Sequence, residues 1–87
     1  MNFSEIKERD DRYLAGTYAR HPVAFVKGAG ARLFGADGIE YIDFASGIGV
    51  ASLGYGDADW ARAVADQAAS LAHTSNLFYS EPCGAAA

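Results

Sequence analysis

The chain has 87 residues, 51% of them hydrophobic, and its eleven acidic and seven basic side chains give a formal charge of −4. That balance supplies no positive field for a phosphate backbone, and no apolar run has the length of a membrane span or a signal peptide, so neither a nucleic-acid nor a membrane partner is expected. The lone Cys83 rules out an internal disulfide framework, and a cytoplasmic setting is expected.

Ser4 is a residue type that caps helices, and Glu5 and Glu8 follow it where the helix dipole favours negative charge. Ile6, Tyr13 and Leu14 fall at i, i+7 and i+8, so the spacing predicts a helix from Ser4 to Ala15, closed by Gly16. The dense charges from Lys7 to Arg12 form its solvated outer face. Pro22 then biases His21 toward an extended conformation, and a loop carrying Tyr18, Arg20 and His21 leads onward.

Three short runs rich in β-branched and aromatic residues come next: Ala24 to Lys27, Ala31 to Phe34 and Ile39 to Phe44. Asp37-Gly38 between the last two is a hairpin signal, because glycine tolerates the positive φ such turns require. An antiparallel meander is the expected arrangement. The segment Ser46-Gly47-Ile48-Gly49-Val50 resembles a phosphate cradle at first sight. It lacks the third glycine of a dinucleotide fingerprint and the Gly-Lys-Ser/Thr of a Walker loop, so it is read as a bend where backbone approaches backbone.

Asp57 is placed to cap a second helix whose apolar positions Trp60, Ala63, Val64, Ala68 and Leu71 recur at helical spacing, out to Ala72. The loop His73-Thr74-Ser75-Asn76-Leu77-Phe78-Tyr79 follows and ends at Glu81-Pro82. It joins donors and acceptors to apolar surface, a mixture that suits either a small-molecule pocket or the packing of its aromatics into a core. The closing Gly84-Ala85-Ala86-Ala87 is good helix material with no stop signal after it, so the chain is expected to be cut from a longer one.

A chain this short buries only about 60% of its unfolded surface, yet it carries five Phe, five Tyr and one Trp. Part of that surface is expected to need a partner. No catalytic set is complete: His21 and His73 lie far apart with no ligand-spaced companions and read as structural, and Cys83 reads as a buried or neutral thiol with no base beside it.

The order of these segments resembles the start of the class III aminotransferases, above all the branch acting on N2-acetylornithine. Tyr18-Ala19-Arg20-His21-Pro22-Val23 is similar to that family's Tyr-x-Arg-x-Pro-Val stretch. Asp37-Gly38-Ile39-Glu40-Tyr41-Ile42-Asp43 resembles its hairpin, and Ser46 to Gly54 its approach to the active-site region. His73 to Pro82 resembles the branch's own loop, the most specific match. The likeness covers residues 12 to 82. Gly54-Tyr55-Gly56-Asp57-Ala58 departs from the Gly-His-x-His-Pro of many relatives, with Asp57 taking over as helix starter.

The resemblance implies an α+β piece, residues 1–87 forming the N-terminal arm and part of the small domain of a fold type I aminotransferase, with an N-terminal helix, a short antiparallel meander and a second helix. It implies a homodimer using pyridoxal 5'-phosphate, with N2-acetylornithine and 2-oxoglutarate as substrates in arginine biosynthesis. The cofactor lysine and its companions fall outside this chain, so no catalytic, cofactor-binding or metal-binding residue is expected within it and the piece alone is expected to be inactive. Ile48, Asn76, Phe78 and Tyr79 are the residues the resemblance places near substrate. Succinylornithine, ornithine or 4-aminobutyrate remain possible donors, and a non-catalytic interaction module derived from the family is the reading from another class.

Overall fold

The computed structural model describes all 87 residues, as two compact units, Met1–Asp57 and Ala58–Ala87. The first unit opens with α1 (Phe3–Tyr13), followed by β1 (Phe25–Ala29), β2 (Arg32–Gly35), β3 (Glu40–Ile42) and the four-residue helical turn α2 (Ser46–Gly49). The second holds α3 (Ala58–Ser70) and α4 (Glu81–Ala86). No helix is long and apolar enough to cross a membrane.

Helix α1 is capped by Asn2, not by Ser4. The Asn2 side chain accepts from the Glu5 amide at 2.9 Å while the Glu5 carboxylate accepts from the Asn2 amide at 2.9 Å, a reciprocal capping box. A reciprocal box starting at Ser4 would place Lys7 at its third position, and an ammonium cannot accept from the cap's amide. The helix also stops before Ala15. Leu14 turns extended, its N–H still bonded to the Asp10 carbonyl, so Leu14 and not Gly16 ends the helix. Leu14 and Ala15 are good helix formers, so propensity does not set this stop. Beyond it the chain doubles back and the Arg20 guanidinium reaches Asp10 at 2.8 Å. On the outer face Lys7 pairs with Asp11.

The three strands form the expected antiparallel meander in the order β1-β2-β3. Lys27 lies opposite Phe34, Gly28 opposite Leu33, and Leu33 in turn opposite Tyr41, with a bulge between Phe25 and Lys27. The strands run one or two residues later in β1 and β2 than their sequence pattern, and β3 ends at Ile42, two short of Phe44. Gly38 takes φ +84° in the hairpin, and the Asp37 carboxylate accepts from the Ile39 amide at 3.1 Å. Phe25 meets Tyr41 edge-on with ring centroids 5.4 Å apart. They flank Gly35, the only buried residue of the chain, where an added Cβ would lie 2.3 Å from the Asp37 carboxylate and 3.3 Å from the Tyr41 ring.

Neither unit has a buried hydrophobic core. Leu33, Phe34 and Tyr41 are half-buried, while Phe44, Ile48, Leu77 and Tyr79 are almost wholly exposed. In the second unit, α3 ends at Ser70, short of Ala72, and Asp57 stands immediately before its first residue. The chain resumes helical structure at Glu81, where Pro82 sits in the first turn, a position that needs no amide donor.

Candidate functional site

Two stretches carry the residues that the sequence places near substrate, one in each unit. In the first, the chain leaves β3 at Ile42 and immediately makes a turn of the wrong hand. Ser46, Gly47, Ile48 and Gly49 all have positive φ, at 52°, 63°, 64° and 77°. Their backbone closes helically, Gly49 N–H onto the Ala45 carbonyl at 3.0 Å and Val50 N–H onto the Ser46 carbonyl at 2.8 Å. For glycine this conformation is nearly free, but for Ser46 and Ile48 it costs about 1–2 kcal/mol each, and for a β-branched residue it is an outlier. The bend read from Ser46 to Val50 is therefore a left-handed turn. The close backbone approach expected there lies instead at Gly54, where an added Cβ would fall 2.9 Å from the Gly30 carbonyl oxygen.

Asp43 holds the turn. Its Oδ1 accepts the amides of Ala45 at 2.8 Å and Ser46 at 3.0 Å, and its Oδ2 accepts the Tyr55 hydroxyl at 2.5 Å. Tyr55 is itself fixed: its amide and carbonyl both bond Gly30, at 2.9 and 2.8 Å, and its ring lies so close over Gly28 that a Cβ there would sit 2.5 Å from it. The Tyr55 hydroxyl, followed by the two amides, holds the Asp43 carboxyl below the usual carboxylate range. Donation to that carboxylate, partial desolvation and its negative charge push the Tyr55 phenol up. Neither member of this pair is among the site residues expected from the sequence. An Asp ending a strand just ahead of a Ser-Gly run is a signal for an Asx turn, but nothing local pairs it with a tyrosine twelve positions on.

The clamp presents Ile48 to the outside, with 96% of its surface exposed. In the second unit Ser75 takes φ 67° and bends the loop, its hydroxyl accepting the Leu77 amide at 3.3 Å. Asn76 and Phe78 line a groove of about 190 Å³ with Gln67, His73, Thr74 and Cys83, and Tyr79 stands outside it, fully exposed. Phe78 is 70% exposed, so within this chain it does not pack into a core. The geometry brings Asn76 and Phe78 together and leaves Tyr79 apart from them; Ile48 belongs to the other unit. Cys83 is exposed, not buried, and accepts a hydrogen bond from the Ser80 hydroxyl at 3.1 Å.

Whether these residues could carry an aldehyde cofactor turns on the lysines. Lys7 is ion-paired with Asp11 on the solvent face of α1, and the Lys27 ammonium lies 5.6 Å from the centre of the Phe34 ring. Each side chain lies against a partner that attracts positive charge, the opposite of the desolvated or cation-flanked setting of a nucleophilic lysine. Neither fits a Schiff-base role. Nor are three or more His, Cys, Asp or Glu side chains gathered to hold a metal ion.

Comparison with known proteins places these features. Residues 13–87 match the model of the family described as aminotransferase class-III. The chain is 51% identical over 78 residues to the mitochondrial acetylornithine aminotransferase of Alnus glutinosa, and 50% identical over 82 residues to the acetylornithine aminotransferase of Haemophilus ducreyi. Those alignments cover 90% and 94% of this chain but only 17% and 21% of the relatives, so it spans about a fifth of their length. The backbone also follows that of the Plasmodium falciparum ornithine delta-aminotransferase with a TM-score of 0.92 at 25% identity, over 98% of this chain and 22% of that one. Class III aminotransferases are pyridoxal-phosphate-dependent. With the family's pattern running from Tyr13 through the turn at Ser46–Gly49 to the groove, the chain belongs to the class-III aminotransferase family.

Proposed function

We propose that residues 1–87 are the N-terminal arm and part of the small domain of a larger cytoplasmic, homodimeric aminotransferase. The complete enzyme uses pyridoxal 5'-phosphate to move the amino group of N2-acetylornithine to 2-oxoglutarate, in arginine biosynthesis. The observation that carries this is identity at the 50% level to acetylornithine aminotransferases over nine-tenths of the chain. The absence of any buried hydrophobic core agrees with a segment whose apolar side chains meet other parts of a larger body. When bound, the cofactor supplies the electron sink, and the residues that hold it lie outside these 87. This chain's share is positioning, with Ile48 from the turn and Asn76, Phe78 and Tyr79 from the loop facing substrate.

A second reading is an ornithine-using enzyme, the activity named for the Plasmodium protein whose backbone this chain follows. The two separate in steady-state kinetics of the complete enzyme with N2-acetylornithine, succinylornithine, ornithine and 4-aminobutyrate as donors. The highest kcat/KM is expected for N2-acetylornithine. A higher value for ornithine would replace the reading, and a complete protein with no transaminase activity toward any of the four would favour an interaction module.

A further inference from the structure

We infer that Asp43 and Tyr55 are positioning residues, a clamp that holds the left-handed turn Ser46–Gly49 so that Ile48 is presented at a fixed height to the amino donor. What the turn faces rests on the aminotransferase reading. That it is clamped rests on geometry alone. Two non-glycine residues sit at positive φ, Ser46 at 52° and the β-branched Ile48 at 64°. Such backbone persists only where its surroundings over-determine it, and it gathers where a side chain must be aimed.

The surroundings here come from three places in the chain. The Asp43 carboxylate takes two amides at the start of the turn and the Tyr55 hydroxyl from beyond it. Tyr55 is tied by both backbone groups to Gly30, after β1, and its ring rests against Gly28, where no side chain interferes. The turn is thus anchored to the sheet through one hydroxyl. An exposed isoleucine aimed outward by so constrained a backbone gains nothing for the packing of this unit. Its apolar surface suits the methylene chain of an aliphatic amino donor.

The test uses the complete enzyme and Tyr55→Phe, which keeps the ring on Gly28 and removes only the hydroxyl. Hydrogen exchange at Gly49, Val50 and Ala51, whose amides close the turn, is expected to quicken roughly tenfold, the effect of losing one charge-assisted hydrogen bond. KM for the best donor is expected to rise roughly fivefold with kcat within about twofold, the pattern of lost ground-state positioning. Adding Ser46→Gly to Tyr55→Phe relieves the positive φ at residue 46 and is expected to bring KM back. Unchanged exchange at the three amides would overturn the clamp, whatever the enzyme's activity. A fall in thermal stability with KM unchanged, or a raised KM that Ser46→Gly leaves in place, would overturn the positioning role. Failure of the aminotransferase reading would appear separately, as wild-type protein inactive toward every donor while the exchange measurement still decides the clamp.

Discussion

At the scale of single residues, pH acts on the turn through Asp43 and Tyr55. The folded-state pKa of Asp43 is depressed, first by the Tyr55 hydroxyl and then by the Ala45 and Ser46 amides. A depressed carboxyl contributes stability that is present above its unfolded pKa and is lost as pH falls through the folded value. Tyr55 is shifted upward, so its contribution is present below the unfolded phenol value and is lost as pH rises through the folded one. The turn is therefore most stable between these two limits. Thermal melts of the complete protein across the acid range should show Asp43→Asn flattening the acid-side loss relative to wild type. An acid limb of unchanged steepness in the variant would mean that other carboxyls control it.

At the scale of elements, α1 rests on its cap. It packs on no strand of its own unit, none of its residues is buried, and its apolar residues Phe3 and Ile6 are only half-covered. Its persistence then depends on the capping box, the Lys7–Asp11 pair, Arg12 in the last turn and the Arg20–Asp10 ion pair. Exposed pairs such as Lys7–Asp11 add only about 0.3–0.5 kcal/mol, so the cap contributes more than the pair. Asn2→Ala should cost about 1 kcal/mol of helix stability. Circular dichroism of the chain with and without the substitution should show that loss as reduced helicity. An unchanged spectrum would place the helix's stability in contacts beyond this chain. The sheet depends instead on glycine. Gly28 and Gly54 each stand where a Cβ would meet a fixed group, the Tyr55 ring at 2.5 Å and the Gly30 carbonyl oxygen at 2.9 Å.

At the scale of the molecule, the absence of a core decides how the isolated chain behaves. Ordering costs roughly 1.5 kcal/mol per residue, and a body this small nearly cancels it only by burying its apolar surface well. Here Tyr18, Phe44, Ile48, Leu77, Phe78 and Tyr79 are all at least 70% exposed. The chain alone should therefore unfold without a sharp transition or associate with itself. Sedimentation velocity together with a thermal melt checks this, and a clean monomer melting cooperatively would count against it. Other large exposed side chains, Trp60 and Leu53 among them, extend over both units, so the apolar surface is not confined to one groove.

The residues alone determined the meander, the Asp37-Gly38 hairpin, the α3 helix and the family, because each depends on signals within a few positions: alternation, turn glycines, helical spacing and the order of short motifs. The Asn2 cap was equally local. Asn2 and Glu5 are three apart, and Ser4 outweighs them in a reading by residue type only if the third position is not checked for an acceptor. Tertiary structure alone decided the hand of the turn at Ser46–Gly49 and the exposure of Ile48. A left-handed run through Ser46 and Ile48 is unfavourable locally, and it is held by an aspartate and a tyrosine twelve positions apart and by a backbone bridge from Gly30 to Tyr55. Asn76 and Phe78 were legible as a polar and aromatic pair, but their shared groove required the loop to bend at Ser75, a positive φ that nothing in the residue type announces. Local spacing encodes which elements form, whereas contacts between distant residues determine which strained conformations survive.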